Sequence, residues 1–250
     1  YKWELGGIAQ HSQVQARTLD GGERGVIAPE QVQDGYVQAD DHRPGTGLLV
    51  LENTHNAKGG TAIGPVRIDA AAEAAHERGV PVHLDGARLF NAAAALDVPA
   101  ARIAREADSV MSCLSKGLGA PVGSILAASS EFIEHARRVR KLMGGGMRQA
   151  GIVAAPGLLA LENRNRLQED HRRARELATG LDDVEGLTAP QPETNIVLVR
   201  TDEPARAVLD QLRERNVMGS AFGEHTVRFC THWNIDDEDI ETAIERARDI

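Results

Sequence analysis

Asp108-Ser-Val-Met-Ser-Cys-Leu-Ser-Lys-Gly-Leu-Gly119 decides the reading of this chain. Ser109 to Leu114 read as a buried strand that stops at Lys116 and two glycines. The protein has four lysines (Lys2, Lys58, Lys116, Lys141) among 28 Lys and Arg, so arginine is its ordinary cation. A lysine kept where an apolar run ends is therefore informative. Arginine stays charged, whereas a desolvated lysine can lose its proton and act as a nucleophile.

Upstream lies a second apolar strand, Val80-Pro-Val-His-Leu-Asp-Gly-Ala-Arg88, ended by Asp85. A lysine and an acid at the ends of two such strands suit pyridoxal phosphate (PLP). That chemistry needs a Schiff-base lysine and a carboxylate for the pyridinium nitrogen. A third run, Gly47-Leu-Leu-Val-Leu-Glu-Asn53, ends in a polar loop with His55. Neighbouring parallel strands would turn all three ends into one crevice, because ligands bind outside the carboxyl ends of such strands.

Around these runs strands alternate with helices, at 66–79, 89–96 and from Pro99 to Ala107. The alternation predicts an α/β fold, a mostly parallel sheet flanked by helices. A short helix at 28–33, a surface loop at 34–46 and a strand at 122–128 complete this part. Ser129 or Ser130 caps a further helix, with Phe132, Ile133, Ala136, Val139 and Met143 at helical spacing. One broken or two consecutive helices fill 147–180. Beyond, strands at 195–199 and 226–230 and helices at 203–215 and 236–249 predict a smaller α+β unit. The expected domains are 1–165 and 166–250.

At 250 residues and net charge −9, with no Lys/Arg-rich run, nucleic acid and anionic membranes are poor partners. No apolar run approaches a membrane span. Cys113 and Cys230 sit in apolar runs and read as buried, reduced thiols, hence a cytoplasmic protein. No His/Cys spacing suggests a metal.

Each candidate also has a plainer reading. Lys116 could be a surface lysine, Asp85 the N-cap of a helix over 86–95, and His55 a loop hydrogen-bonding residue. His83 reads as a satisfied core histidine. Arg228, in Val227-Arg-Phe229, needs a partner when buried; that partner is either a substrate carboxylate or an internal one. The cations at 137–141 suit a helix C-terminus. A Ser-x-x-Lys hydrolase pattern fails, because Cys113 holds the serine position.

Four stretches together carry a resemblance. They are Leu51-Glu-Asn-Thr-His-Asn56, His83-Leu-Asp-Gly-Ala-Arg-Leu-Phe-Asn91, Cys113-Leu-Ser-Lys-Gly-Leu-Gly-Ala-Pro-Val-Gly123 and Gly144-Gly-Gly-Met-Arg-Gln149. In that order they resemble the low-specificity L-threonine aldolases, PLP enzymes of the aspartate-aminotransferase fold (fold type I). Thr226-Val-Arg-Phe-Cys-Thr-His232 adds to it. The resemblance implies that Lys116 carries PLP as a Schiff base and that Asp85 holds the ring nitrogen protonated. It implies that Arg88 and Arg228 bind the substrate carboxylate and that His55 lies near the substrate hydroxyl. It implies that Arg148 and the 144–146 loop approach the cofactor phosphate, across a subunit boundary in a homotetramer or dimer. The implied reaction is cleavage of a small β-hydroxy-α-amino acid, threonine or allo-threonine, to glycine and acetaldehyde. The family's phosphate-cradling helix start and ring-stacking histidine would precede Tyr1. The expectation is therefore a chain lacking an N-terminal segment and holding PLP weakly.

Overall fold

The computed structural model describes residues 2–250; Tyr1, where the first expected domain begins, lies outside the described residues. Two short helices lead in, α1 (Gly7–Ser12) and α2 (Pro29–Gly35). Pro29 opens α2 at its first position, where its missing N–H costs nothing. There follow β1 (Leu49–Glu52), α3 (Pro65–His76), β2 (Val82–Asp85), α4 (Leu89–Leu96), α5 (Ala100–Ile103), β3 (Ser109–Cys113) and β4 (Ser124–Ala128).

The first sheet has the order β1-β2-β3-β4. β1, β2 and β3 run parallel, and β4 pairs antiparallel with β3. Parallel neighbours require crossovers, which α3 and the α4–α5 pair supply. Leu49, Leu51, Val82 and Leu84 of the strands pack with Ile68, Ala71, Ala72 and Ala75 of α3, and with Leu89, Ala92 and Ile103. The alanine face of α3 lets that helix lie close to the sheet.

The chain continues through α6 (Ser130–Leu142), α7 (Gly151–Glu162) and α8 (Leu167–Asp182). It then builds β5 (Leu187–Thr188), β6 (Ile196–Thr201), α9 (Ala205–Glu214), β7 (Ser220–Gly223), β8 (Thr226–Cys230) and α10 (Asp237–Ala247). The second sheet is antiparallel throughout, in the order β5-β6-β8-β7. Leu177 and Leu181 of α8, Val197 and Val199 of β6, Leu209 and Leu212 of α9, Val227 and Ile240 fill its core.

Several expectations are corrected. The helix expected from Pro99 to Ala107 ends at Ile103. Asp108 explains this: its N–H bonds Val82 O at 2.9 Å and its carboxylate accepts from Val82 N at 2.7 Å, drawing the chain into β3. The apolar stripe of α6 faces no core; none of its residues is buried. Cys113 and Cys230 are free and only half-buried. Strands β5 and β7 were not expected. The cap of α6 is Ser129, whose hydroxyl accepts from Phe132 N. Among the described residues no helix is long and apolar enough to cross a membrane.

Candidate active site

The register puts three strand ends side by side. Glu52 pairs with Asp85, and Asp85 with Met111, so the segments leaving β1, β2 and β3 emerge at one end of the sheet.

From β1 the chain enters a tight loop. His55 N donates to Thr61 O at 2.9 Å, and Gly60 N to His55 O at 3.0 Å. Thr194 Oγ1 donates to Gly60 O at 2.7 Å, holding the loop against the second sheet. Gly25, at φ +71°, lies on the other side of the His55 ring, where a Cβ would overlap the imidazole. His55 is thus fixed by its backbone and wedged by its neighbours, while its Nδ1 is buried with no partner.

From β2, Asp85 is half-buried. Its Oδ1 accepts from Ala87 N at 3.0 Å, so it caps the turn that follows. It is not the N-cap of the next helix, because α4 begins at Leu89 with Arg88 in that position. His83 behaves as a satisfied core histidine: Nδ1 meets Ser109 Oγ at 2.8 Å, and burial lowers its pKa against the opposing pull of Asp85.

From β3, Lys116 opens a turn closed by Gly119 N to Lys116 O at 2.9 Å. Its side chain is exposed, so the desolvation expected from the apolar run does not hold for this residue.

Arg88 joins the pieces. Its Nη1 donates to Asn56 Oδ1 at 3.0 Å, and Asn56 N donates to Glu52 Oε1 at 2.8 Å. Burial pulls the Arg88 pKa down; Cys230 opposes that, Arg228 adds to it, and Cys113 and Glu52 oppose it. The guanidinium keeps its charge nonetheless. Those same interactions show that β8 delivers Arg228 and Cys230 to within electrostatic range of Arg88. Arg228 has no carboxylate partner among the described residues. Its Nε and Nη2 point at Cys230 Sγ, each at 3.4 Å, and it stands over the Phe222 ring at 5.6 Å. The internal-carboxylate reading of Arg228 therefore fails.

Asp85, Arg88, His55 and Lys116 thus lie at the ends of β1, β2 and β3 or on the segments leaving them, and Arg228 lies within electrostatic range of Arg88. Arg148 does not join them. It lies in the exposed loop between α6 and α7, with no hydrogen bond or ion pair to another described residue. Sequence reasoning missed Asn56 as the partner of Arg88, and Thr54 and Ser112 as buried hydroxyls on or beside these strands. Asn56 stood in a quoted motif, but an asparagine after a strand reads first as a turn former.

Four buried polar atoms have no partner among the described residues: Thr54 Oγ1, His55 Nδ1, Arg88 Nε and Ser112 Oγ. All lie on the strand ends or the segments leaving them. Buried polar atoms are normally answered, so the cluster fits a polar ligand. One amine, one carboxylate and two guanidiniums fit PLP and an amino acid: a carbonyl for the amine, a ring nitrogen for the carboxylate, a carboxylate for the guanidiniums. The chain's residues therefore suit the cofactor.

Comparisons with known proteins agree. The family model for beta-eliminating lyases matches residues 1–204. Low-specificity L-threonine aldolase 1 of Arabidopsis thaliana is 38% identical over 247 residues, covering 95% of this chain and 69% of that protein. An uncharacterised Caenorhabditis elegans protein is 35% identical over 98% of this chain, which spans 62% of that relative's length. Among solved structures, the Leishmania major threonine aldolase superposes with a TM-score of 0.77 at 20% identity, over 98% of this chain and 75% of that one. At that identity the likeness shows the fold, that of the fold-type-I PLP enzymes. The family model and the sequence relatives carry the assignment further: the chain belongs to the beta-eliminating lyase family and, within it, to the low-specificity L-threonine aldolases.

Proposed function

We propose that this protein is a PLP-dependent aldehyde-lyase that cleaves L-threonine or L-allo-threonine to glycine and acetaldehyde. The observation that supports the reading most is the parallel register that brings the ends of β1, β2 and β3 side by side, with four buried polar atoms left unanswered on those strands and the segments leaving them. PLP, when bound, supplies an electron sink for the carbanion left as the Cα–Cβ bond breaks. Lys116 would hold the cofactor through its side-chain amine. The Asp85 carboxylate would hold the cofactor's ring nitrogen and its proton. Arg88 and Arg228 grip the substrate carboxylate; Arg228 needs only to exchange the weak Cys230 sulfur acceptor for two carboxylate oxygens. That grip orients the bond to be broken. His55 takes the proton of the β-hydroxyl, directly or through water. Arg148 contacts the cofactor phosphate from a second copy of the chain, in a homo-oligomer.

The test is a visible spectrum of the purified chain with added PLP, followed by product analysis with threonine. A borohydride-sensitive band is expected, with release of acetaldehyde, and Lys116→Ala should lose both. Full turnover by Lys116→Ala would sink the assignment. The family also bears the name of β-elimination; release of 2-oxobutanoate and ammonia from threonine in place of acetaldehyde would select that reaction.

A further inference from the structure

The turn that carries Lys116 is held from outside its own sheet. Arg166 Nη1 donates to Gly117 O at 2.9 Å, one residue beyond Lys116. The same guanidinium forks onto the Asp170 carboxylate, with Nη1 3.1 Å from Oδ2 and Nη2 on Oδ1. The Asp170 side chain is 0% exposed and that of Arg166 17%. The guanidinium also lies over the Trp233 ring, 4.5 Å from its centre. On the far side, Asp170 O accepts from Thr231 Oγ1 at 2.6 Å, three residues past Arg228. Leu167 seats the turn directly: a Cβ on Gly117 would come within 2.8 Å of Leu167 Cδ2. One helical turn, 166–170, therefore touches the lysine's turn on one side and the exit of the Arg228 strand on the other.

Stability alone does not call for this pair. Taking two charges out of water is costly, and replacing a buried pair by apolar residues of similar volume is often neutral or stabilising. An apolar pair would fill the same space, but it could not donate to Gly117 O. We propose that Arg166 is a positioning residue: it fixes the Lys116 turn at a set distance from the Arg228 strand, so that amine and guanidinium meet on one substrate. The functional half of this inference rests on the roles given above to Lys116 and Arg228; the positional half does not.

The experiment compares the full chain with the double variant Arg166→Met/Asp170→Leu, which removes both charges together, and with Arg166→Lys. Three quantities are read: the thermal midpoint, amide hydrogen exchange at 115–119, and kcat and KM for threonine with PLP present. The double variant should stay within a few degrees in midpoint. Its exchange at 115–119 should rise by about fivefold or more, the factor that one lost hydrogen bond supplies. Its kcat should fall on the order of 10²-fold, as misplacement by about an ångström does. Arg166→Lys should recover part of the protection and part of kcat. Unchanged exchange at 115–119 would overturn the proposal, whatever the turnover. So would an unchanged kcat in a variant whose turn exchanges faster. Faster exchange in the variant with no turnover even in the unmodified chain would sink the aldolase reading and leave the anchoring of the turn standing.

Discussion

Helices α6 and α8 have the same kind of sequence and opposite fates. Both are amphipathic and rich in charge, and both carry an apolar stripe at helical spacing. α8 buries Leu167, Ala174, Leu177, Ala178 and Leu181, and packs on α4, α10 and β6. α6 buries nothing; Phe132 is 47% exposed and Val139 46%. The end of α6 and the chain that follows it match, since Leu142, Met143, Ile152 and Leu158 are exposed as well. An amphipathic pattern reports that a face wants cover. It does not report that the cover lies in the same chain.

This contrast can be broken by mutation. Leu177→Ala should destabilise the fold by about 2–5 kcal/mol, because it empties a packed site. Urea unfolding would read it, and a loss under 1 kcal/mol would mean that the α8 face is looser than it looks. The second test is acid. His171, on the buried face of α8, is 3% exposed, and burial pushes its pKa down to about 4. Unfolded, it titrates near 6.5. As pH falls from about 6.5 toward about 4, the unfolded chain takes up a proton that the folded chain refuses. Stability contributed at higher pH is lost across that window, by up to about 3 kcal/mol. His171→Gln should flatten that slope; identical slopes in both proteins would mean that the imidazole is protonated in place. The smallest effect is expected on α6. Val139→Ser should change the stability of the dilute chain by less than about 0.5 kcal/mol, as exposed substitutions do. A cost of 2 kcal/mol would place α6 against its own chain and erase the contrast.

The same divide governs what could be read from sequence. The first sheet was legible because each strand is an apolar run closed by a residue with chemistry: Glu52, Asp85, then Ser115 and Lys116. Their convergence followed from parallel pairing alone. Arg228 was legible because a cation between Val227 and Phe229 is out of place. Residues that act through tertiary contact gave no local signal. Arg166 sits in an arginine-rich stretch, Asn163 to Arg175, and only the fold brings its guanidinium to Gly117 O. Strand β7, Ser220-Ala-Phe-Gly223, is short, small-sided and on a sheet edge, so no alternation announces it. The early end of α5 depends on the Asp108–Val82 bonds between residues 26 apart.

The scarcity of lysine, together with the open setting of Lys116, bears on peptide mapping. A protease specific for lysine can cut this chain only after Lys2, Lys58, Lys116 and Lys141. A group fixed covalently on Lys116 protects that one bond and leaves 59–141 as a single fragment. The ratio of that fragment to its two halves then counts the fraction of molecules whose amine is occupied, independently of colour or turnover.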